Sequence, residues 1–429
     1  MKIHAKLVTV FVLTLALLAA APYNMPAGGC NCAPGDLDET FDGDGLVTGG
    51  WAYSDDRGWA VAVQQDGKII MAGYTNNFGN ERFEVLRFTA TGAPDDSFGF
   101  MGLVTTSFGD TRDFARDIAI QADGKIVVAG YSIGATAMDF AIARYNSNGS
   151  LDTTFDSDGK ATYNLGSASN QAFSVAIQPD GKILMAGISS QTYLSIALLR
   201  LNSNGSPDST FNGGDVITTI GTGAAYGEDM AIQPDGKILV AGHILTGANP
   251  DALLLRYNSS GSLDTTFGDN LDGIVISELP GDDRAYAVAI QTDGKIIIAG
   301  SKTGSGMLIQ YNSNGIQLGS TFINQISQIN ALAEQVNGKI LAAGHKYLVT
   351  ADFVLLRVNY DLTYDASFKT GSVSTDFGNS QDYGNAIAIQ PDGKIVVAGY
   401  TTPADGSPGD FALARYWGDR YVYLPLLVK

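Results

Sequence analysis

A tight D-G-K hairpin between two apolar runs returns along this chain at a nearly fixed interval. It occurs at Asp66, Asp123, Asp180, Asp235, Asp293, Asn337 (as N-G-K) and Asp392, with successive gaps of 57, 57, 55, 58, 44 and 55 residues. Two further markers keep step with it. One ends at Phe41, Phe98, Phe155, Phe211, Phe267, Phe322 and Phe368, reading "LDETF", "PDDSF", "LDTTF", "PDSTF", "LDTTF", "LGSTF" and "YDASF". The other runs "VLRF", "IARY", "LLRL", "LLRY", "LIQY", "LLRV" and "LARY", so each marker counts seven units. By length alone, 429 residues would divide into two or three domains of about 150 residues. A repeat of this kind overrides that division, because one unit cannot bury its own faces and must stack on the next.

The third unit shows the inner plan. "KATYNL" (160–165), "FSVAIQ" (173–178), "KILMAG" (182–187) and "SIALLRL" (195–201) are strand-length runs rich in β-branched residues. "PDG" closes the hairpin between the second and third: proline presets a turn residue, aspartate tolerates the next, and glycine takes the left-handed one. No segment carries helical periodicity over a useful length. The strands are apolar on both faces, as in "AIAIQ" and "KIVVAG", which requires sheets on either side of each sheet. The prediction is an all-β propeller of seven four-stranded antiparallel blades over residues 37–417, each unit beginning with the run equivalent to "KATYNL". A β-solenoid is the alternative, but its coils are shorter than this period.

"LDTTF", "AIQPDGKILMAG" and "ALLRLNSNGSPD" closely resemble the delta-60 repeat of bacterial exported proteins, and the resemblance runs from about Leu37 to Tyr416. It implies a β-propeller and carries over no catalytic or ligand-binding residue. The sixth D-G-K unit departs most, being shorter and reading "NALAEQVNGKILAAG".

The leader "MKIHAKLVTVFVLTLALLAAAPYNMPAGG" places Lys2 and Lys6 before an apolar run, Leu7 to Ala21, followed by small residues. That is the layout of a secretory signal over residues 1–21, with a linker over 22–36, and the run is shorter than the roughly 20 residues of a membrane span. The mature chain is expected outside the cytoplasm, secreted or at the cell surface. The two cysteines, Cys30 and Cys32, lie in the linker, so no disulfide framework supports the fold. Cys30 after "PAGG" is a candidate lipid attachment point, although Ala27 stands where a large aliphatic residue is preferred. The tail, 418–429, ends "YVYLPLLVK" and reads either as an attachment signal or as a closing strand whose Pro425 would tolerate only an edge.

With 26 basic and 44 acidic residues, the formal charge is −18. Nucleic acid is excluded as a partner on that balance, since phosphate binding needs clustered Lys and Arg. Neutral sugars, cations or cell-surface proteins fit better. Six arginines recur in the third marker: Arg87, Arg144, Arg200, Arg256, Arg357 and Arg415. Five of them precede by eight residues an aspartate, namely Asp95, Asp152, Asp208, Asp264 and Asp365. Where arginine becomes Gln310, the aspartate position becomes Gly319, so both charges vanish together. A buried ion pair behaves so, because losing one partner strands the other.

Asp42 with Asp44 and Asp156 with Asp158 could wrap calcium, but the bidentate glutamate of an EF-hand is missing and a polar glycine turn explains the same letters. His243 and His345 stand at equivalent positions of the fourth and sixth units, which are not neighbours. There is no G-x-S-x-G, no H-E-x-x-H and no phosphate loop, so no catalytic, cofactor or metal residue is assigned. The connections after "AG" differ in every unit, and Tyr74, Tyr131, His243, His345, Tyr347 and Tyr400 are candidate stacking platforms there. The sequence therefore points to an exported binding or surface module, possible ligands being polysaccharide or a cell-surface protein. The rival readings are an extracellular carbohydrate-active hydrolase or lyase and a purely structural envelope repeat.

Overall fold

The computed structural model describes residues 32–50, 54–77, 79–109, 112–166, 169–277, 279–347, 350–378 and 380–419; the leader, Cys30 and the tail from 420 onward lie outside them. These residues form seven antiparallel sheets of four strands each, and the one helical segment among them is a 3-10 turn at Lys369–Gly371. We number the blades by the D-G-K hairpin each contains. Blade 3 is typical, running outward from the axis as Asn170–Ile177, Ile183–Ser190, Leu194–Leu201 and Asp215–Thr218. First strands of successive blades touch around the whole ring, blade 7 meeting blade 1. Among the described residues no helix is long and apolar enough to cross a membrane.

The apolar character of both strand faces follows from this stacking. In blade 3, Ile183 and Met185 enter the core shared with blade 2, whereas Leu184 and Ala186 enter the core shared with blade 4. Seven such cores, one per interface, replace a single centre. The hairpin reads as its letters require. Gly181 has φ of 83°, its N–H donates to the Gln178 carbonyl at 2.9 Å, and the Asp180 carboxylate accepts the Lys182 N–H at 3.1 Å.

Two expectations are corrected. The run at 160–165 does not open the blade that follows it. Lys160–Tyr163 pairs with Met138–Tyr145 and is the outer strand of blade 2, so the sequence unit and the blade are out of phase by one strand. A translational period has no intrinsic start, and only hydrogen bonding sets one. The arginine strand is accordingly the third of its blade, and the variable connections follow the second. The same offset closes the ring: Leu46–Gly49, at the N-terminal end, is the outer strand of blade 7 and pairs with Asp410–Tyr416.

The second correction concerns the short unit. Blade 6 is regular, and the missing length falls in blade 5. There "LGSTF" itself lies in the outer strand, Gln317–Ile323, instead of forming a turn ahead of it.

The predicted clasp is present in all five blades that spell it. Each arginine Nε meets its aspartate at 2.6–2.7 Å. The lysine of each D-G-K joins the same carboxylate at 2.8–3.1 Å. The guanidinium lies 4.3–4.8 Å from the ring of the marker phenylalanine, as with Arg256 over Phe267. Its Nη1 then crosses to the neighbouring blade, Arg200 donating to the Ser259 carbonyl at 2.7 Å. Burial alone would raise the Asp208 carboxyl, but hydrogen bonds from Thr210 and Lys182 and the charge of Arg200 hold it well below the usual carboxylate range. Arg415, which has no aspartate eight residues on, takes Asp38 at 2.7 Å, with Lys394 on the same carboxylate at 3.1 Å. In blade 5, Gln310 donates to Gln291 at 2.5 Å, and the freed Lys295 settles on the Tyr360 hydroxyl at 2.9 Å.

Candidate functional site: the axial cavity

Every first strand carries one extra residue against its partner. In blade 3, Ala172 pairs with Gly187 and Ser174 with Ala186, so Phe173 is left over as a bulge. The bulge residues of the seven blades are Trp59, Arg116, Phe173, Glu228, Tyr286, Asn330 and Asn385. A bulge re-aims its side chain. Here all seven line a cavity of about 860 Å³ on the propeller axis.

The glycine of "AG" makes the bulge possible. A Cβ on Gly187 would sit 1.9 Å from the Gln171 carbonyl oxygen, and the equivalent glycines of the other blades meet the same atom at 1.8–1.9 Å. The tight approach of two backbones, not a left-handed φ, demands glycine. Gly187→Ala should therefore cost about 3 kcal/mol or more by overpacking. Gly247→Ala, with nothing within 4 Å, should stay within about 0.5 kcal/mol. Urea unfolding of the two variants makes the comparison, and equal stabilities would contradict it.

Four of the six predicted stacking residues reach this cavity. Tyr131, His345, Tyr347 and Tyr400 line it. Tyr74 packs edge-on against Phe114 at 4.8 Å and His243 lies flat on Tyr226 at 4.4 Å, so these two buttress the wall. Tyr383 stacks on Tyr400 at 4.9 Å, with Arg57 4.7 Å from the same ring. His243 and His345 remain in separate blades. Burial pushes both imidazoles down to about 4, with the charge of Arg284 adding to the effect at His243, so both are neutral near pH 7.

Arg116, also in the lining, lies 3.6 Å from the Trp59 ring centre and 5.3 Å from that of Phe173. Glu228 is half-buried, with its Oε1 3.6 Å from His243 Nδ1. Burial pushes its carboxyl up to about 7, and Asp229 adds to this while Arg116 and Arg284 work against it. Asp117 follows the bulge of blade 2 and accepts backbone N–H groups of Val175 at 2.7 Å and Ile118 at 2.8 Å. Asp229 accepts from Met230, Val288 and Ser174. These two acids tie inner strands together. Asn330 and Asn385 do likewise, each donating at 2.8 Å to a glycine carbonyl of the next blade.

Sequence reasoning missed the bulge ring, although its signal was present. Each bulge residue stands seven positions before the aspartate or asparagine of the D-G-K turn, and the "AG" glycine stands seven after it. Of the four aspartates weighed for calcium, two accept N–H groups of their own turns: Asp44 Oδ1 from Leu46 at 2.8 Å and Asp158 Oδ1 from Lys160 at 3.0 Å. Among the described residues, Asp352, Asp376 and Asp382 bring carboxylate oxygens within 4.8 Å of one another, and none of the three lines the axial cavity.

The comparisons agree with this architecture. The domain of unknown function DUF5122, a beta-propeller, matches residues 64–98, 121–155, 178–211, 233–267 and 390–419. The unmatched hairpins, at Asp293 and Asn337, flank the irregular edge of blade 5. No curated protein sequence matches the chain. Among solved structures, a catalytically inactive virginiamycin B lyase from Staphylococcus aureus with quinupristin superposes with a TM-score of 0.52 at 10% identity, covering 86% of this chain and 98% of that one. The polysaccharide lyase Uly1 gives 0.52 at 11% identity, covering 84% and 90%. A PL25 ulvan lyase bound to a glucuronate–sulfated rhamnose unit gives 0.52 at 12% identity, covering 87% and 96%. At such identities the likeness concerns the fold alone. The chain is a seven-bladed β-propeller, and the model of the DUF5122 beta-propeller domain matches a segment in five of its seven repeats.

Proposed function

We propose that this chain is exported, as the delta-60 repeat proteins it resembles are, and that it is a binding module holding a carbohydrate in its axial cavity. One observation carries the reading. Seven structurally equivalent bulge positions on a repeated scaffold hold six different residue types, and all point into one cavity. Variation at a converging position is how a repeat builds a specific site. The walls combine flat aromatic faces with phenol and amide groups, which suits a ligand with apolar ring faces and many hydroxyls.

Titration of the chain lacking residues 1–31 with a polysaccharide panel tests this. Trp59→Ala should weaken binding about ten- to thirtyfold, as for a central aromatic anchor, and ligand should change tryptophan fluorescence. Unchanged affinity in that variant would remove the ligand from the cavity.

The position of Glu228 supports a second reading, a carbohydrate-active hydrolase or lyase. Its carboxyl at about 7, inside a cavity and near a guanidinium, suits proton transfer near neutral pH. New reducing ends or new ultraviolet absorbance from a double bond, abolished in Glu228→Gln, would decide for catalysis over binding alone.

A further inference from the structure

Four arginines stand on the first strands, and three are already engaged, Arg112 with Glu81 at 2.7 Å. Arg57 binds Asp55 at 3.0 Å and Arg284 binds Asp282 at 3.1 Å. Arg116 is different. It has no hydrogen bond or ion pair with any described residue, and its contacts are the faces of Trp59 and Phe173. Contact with ring faces engages a guanidinium's charge but gives its five N–H donors no carboxylate or carbonyl acceptor. Uncommitted donors within a cavity call for an acceptor from outside.

Neighbouring acids do not supply it. Asp117, beside Arg116 on the same strand, spends both oxygens on backbone N–H groups, and Asp229 is likewise engaged. Glu228, from blade 4, comes nearest to Arg116 in role but forms no ion pair with it. The phenols of Tyr74, Tyr131 and Tyr400 are also felt by Arg116, and those of Tyr226, Tyr286, Tyr347 and Tyr383 share its cavity.

We infer that the axial cavity takes an acidic glycan and that Arg116 receives its anionic group edge-on. The inference rests on the carbohydrate reading above. The fork geometry accepts a carboxylate or a sulfate ester bidentately, so a uronic acid and a sulfated neutral sugar share the chemistry. Trp59, carrying Arg116 on its face, would stand beside the bound ring. Glu228 makes the affinity pH-dependent. Protonated, it is neutral; ionised, it opposes an incoming anion. With its carboxyl at about 7, binding should weaken as pH rises through about 7 and level off below it. His243, at about 4, stays neutral across that window.

The test compares tetragalacturonate, a sulfated galactose tetramer and neutral galactotetraose by isothermal titration at pH 6 and pH 8. The expected result is at least a tenfold preference for one acidic probe over the neutral one, and which probe wins identifies the anionic group. Arg116→Gln should abolish the preference, read as the ratio of acidic to neutral affinity. Arg116→Lys, which keeps charge without the fork, should retain part of it. Glu228→Gln should shrink the pH dependence, and what remains belongs to Asp117 beside Arg116, whose carboxyl burial likewise pushes up to about 7.

Equal affinities for acidic and neutral probes would overturn this inference and leave the carbohydrate reading intact. Failure of all three glycans, with binding of a tetra-aspartate peptide instead, would overturn both. Melting curves of the Arg116 variants separate lost recognition from lost folding. A lower melting temperature with an unchanged acidic preference would make Arg116 a structural prop and end the proposal.

Discussion

Replacing Arg256 with methionine should destabilise the propeller by about 3–5 kcal/mol, the usual cost of stranding a buried charge. The Asp264 carboxylate would keep Lys237 at 3.0 Å and the Thr266 hydroxyl at 2.7 Å. It would lose the guanidinium that covers Phe267 and reaches the Ser313 carbonyl of blade 5. The double variant Arg256→Met with Asp264→Leu should recover much of the loss, since an apolar pair of similar volume can replace a buried ion pair. Urea denaturation with a double-mutant cycle measures both. A single variant as stable as the parent would show the clasp to be ornamental.

The same carboxylates set the acid limit of the fold. Asp95, Asp152, Asp208, Asp264 and Asp365 are all held below the ordinary range, with burial opposing and hydrogen bonds and the cationic pair prevailing. A depressed folded-state value contributes stability that is complete above the unfolded value, about 3.9, and is lost as pH falls toward the folded one. The melting temperature should therefore hold down to roughly pH 4 and drop steeply below it.

Beginning the chain at Gly50 should have the largest effect of all. That deletion removes Leu46–Gly49 from the edge of blade 7, with Phe41 and Val47 from the core between blades 7 and 1. It also removes Asp38 from Arg415 and Lys394. A total stability of about 5–15 kcal/mol leaves no room for losing an outer strand, part of a core and a buried carboxylate together. The truncated chain should expose apolar surface and aggregate, and a synthetic peptide of residues 33–49 should restore a soluble monomer. Size-exclusion chromatography with and without peptide reads the outcome. A stable monomer without it would mean that the ring needs no closing strand.

Much of this was legible in the letters. The D-G-K turn, the "AG" glycine and the five Arg–Asp pairs are local patterns, with partners at most eight residues apart for the pairs and one hairpin apart for the rest. The bulge ring was also written locally, as a fixed offset from each turn, but nothing in one strand says that an extra residue faces an axis. Tyr347 and Tyr400 looked equally like loop residues and like packing. Only the convergence of seven hairpins makes them a wall.

The sequence by itself determined how many units there are, that each is a β-meander apolar on both faces, and which charges pair within a unit. Turn chemistry, side-chain alternation and the cost of a lone buried charge act over a few residues, so they repeat wherever the letters repeat. The tertiary structure decided where a blade begins, that Asp38 rather than a nearby residue serves Arg415, and that Trp59, Arg116 and Glu228 share one cavity. Those facts depend on contacts between residues far apart in the chain. Such contacts exist only after the ring has closed, and a translational repeat carries no mark of where closure falls.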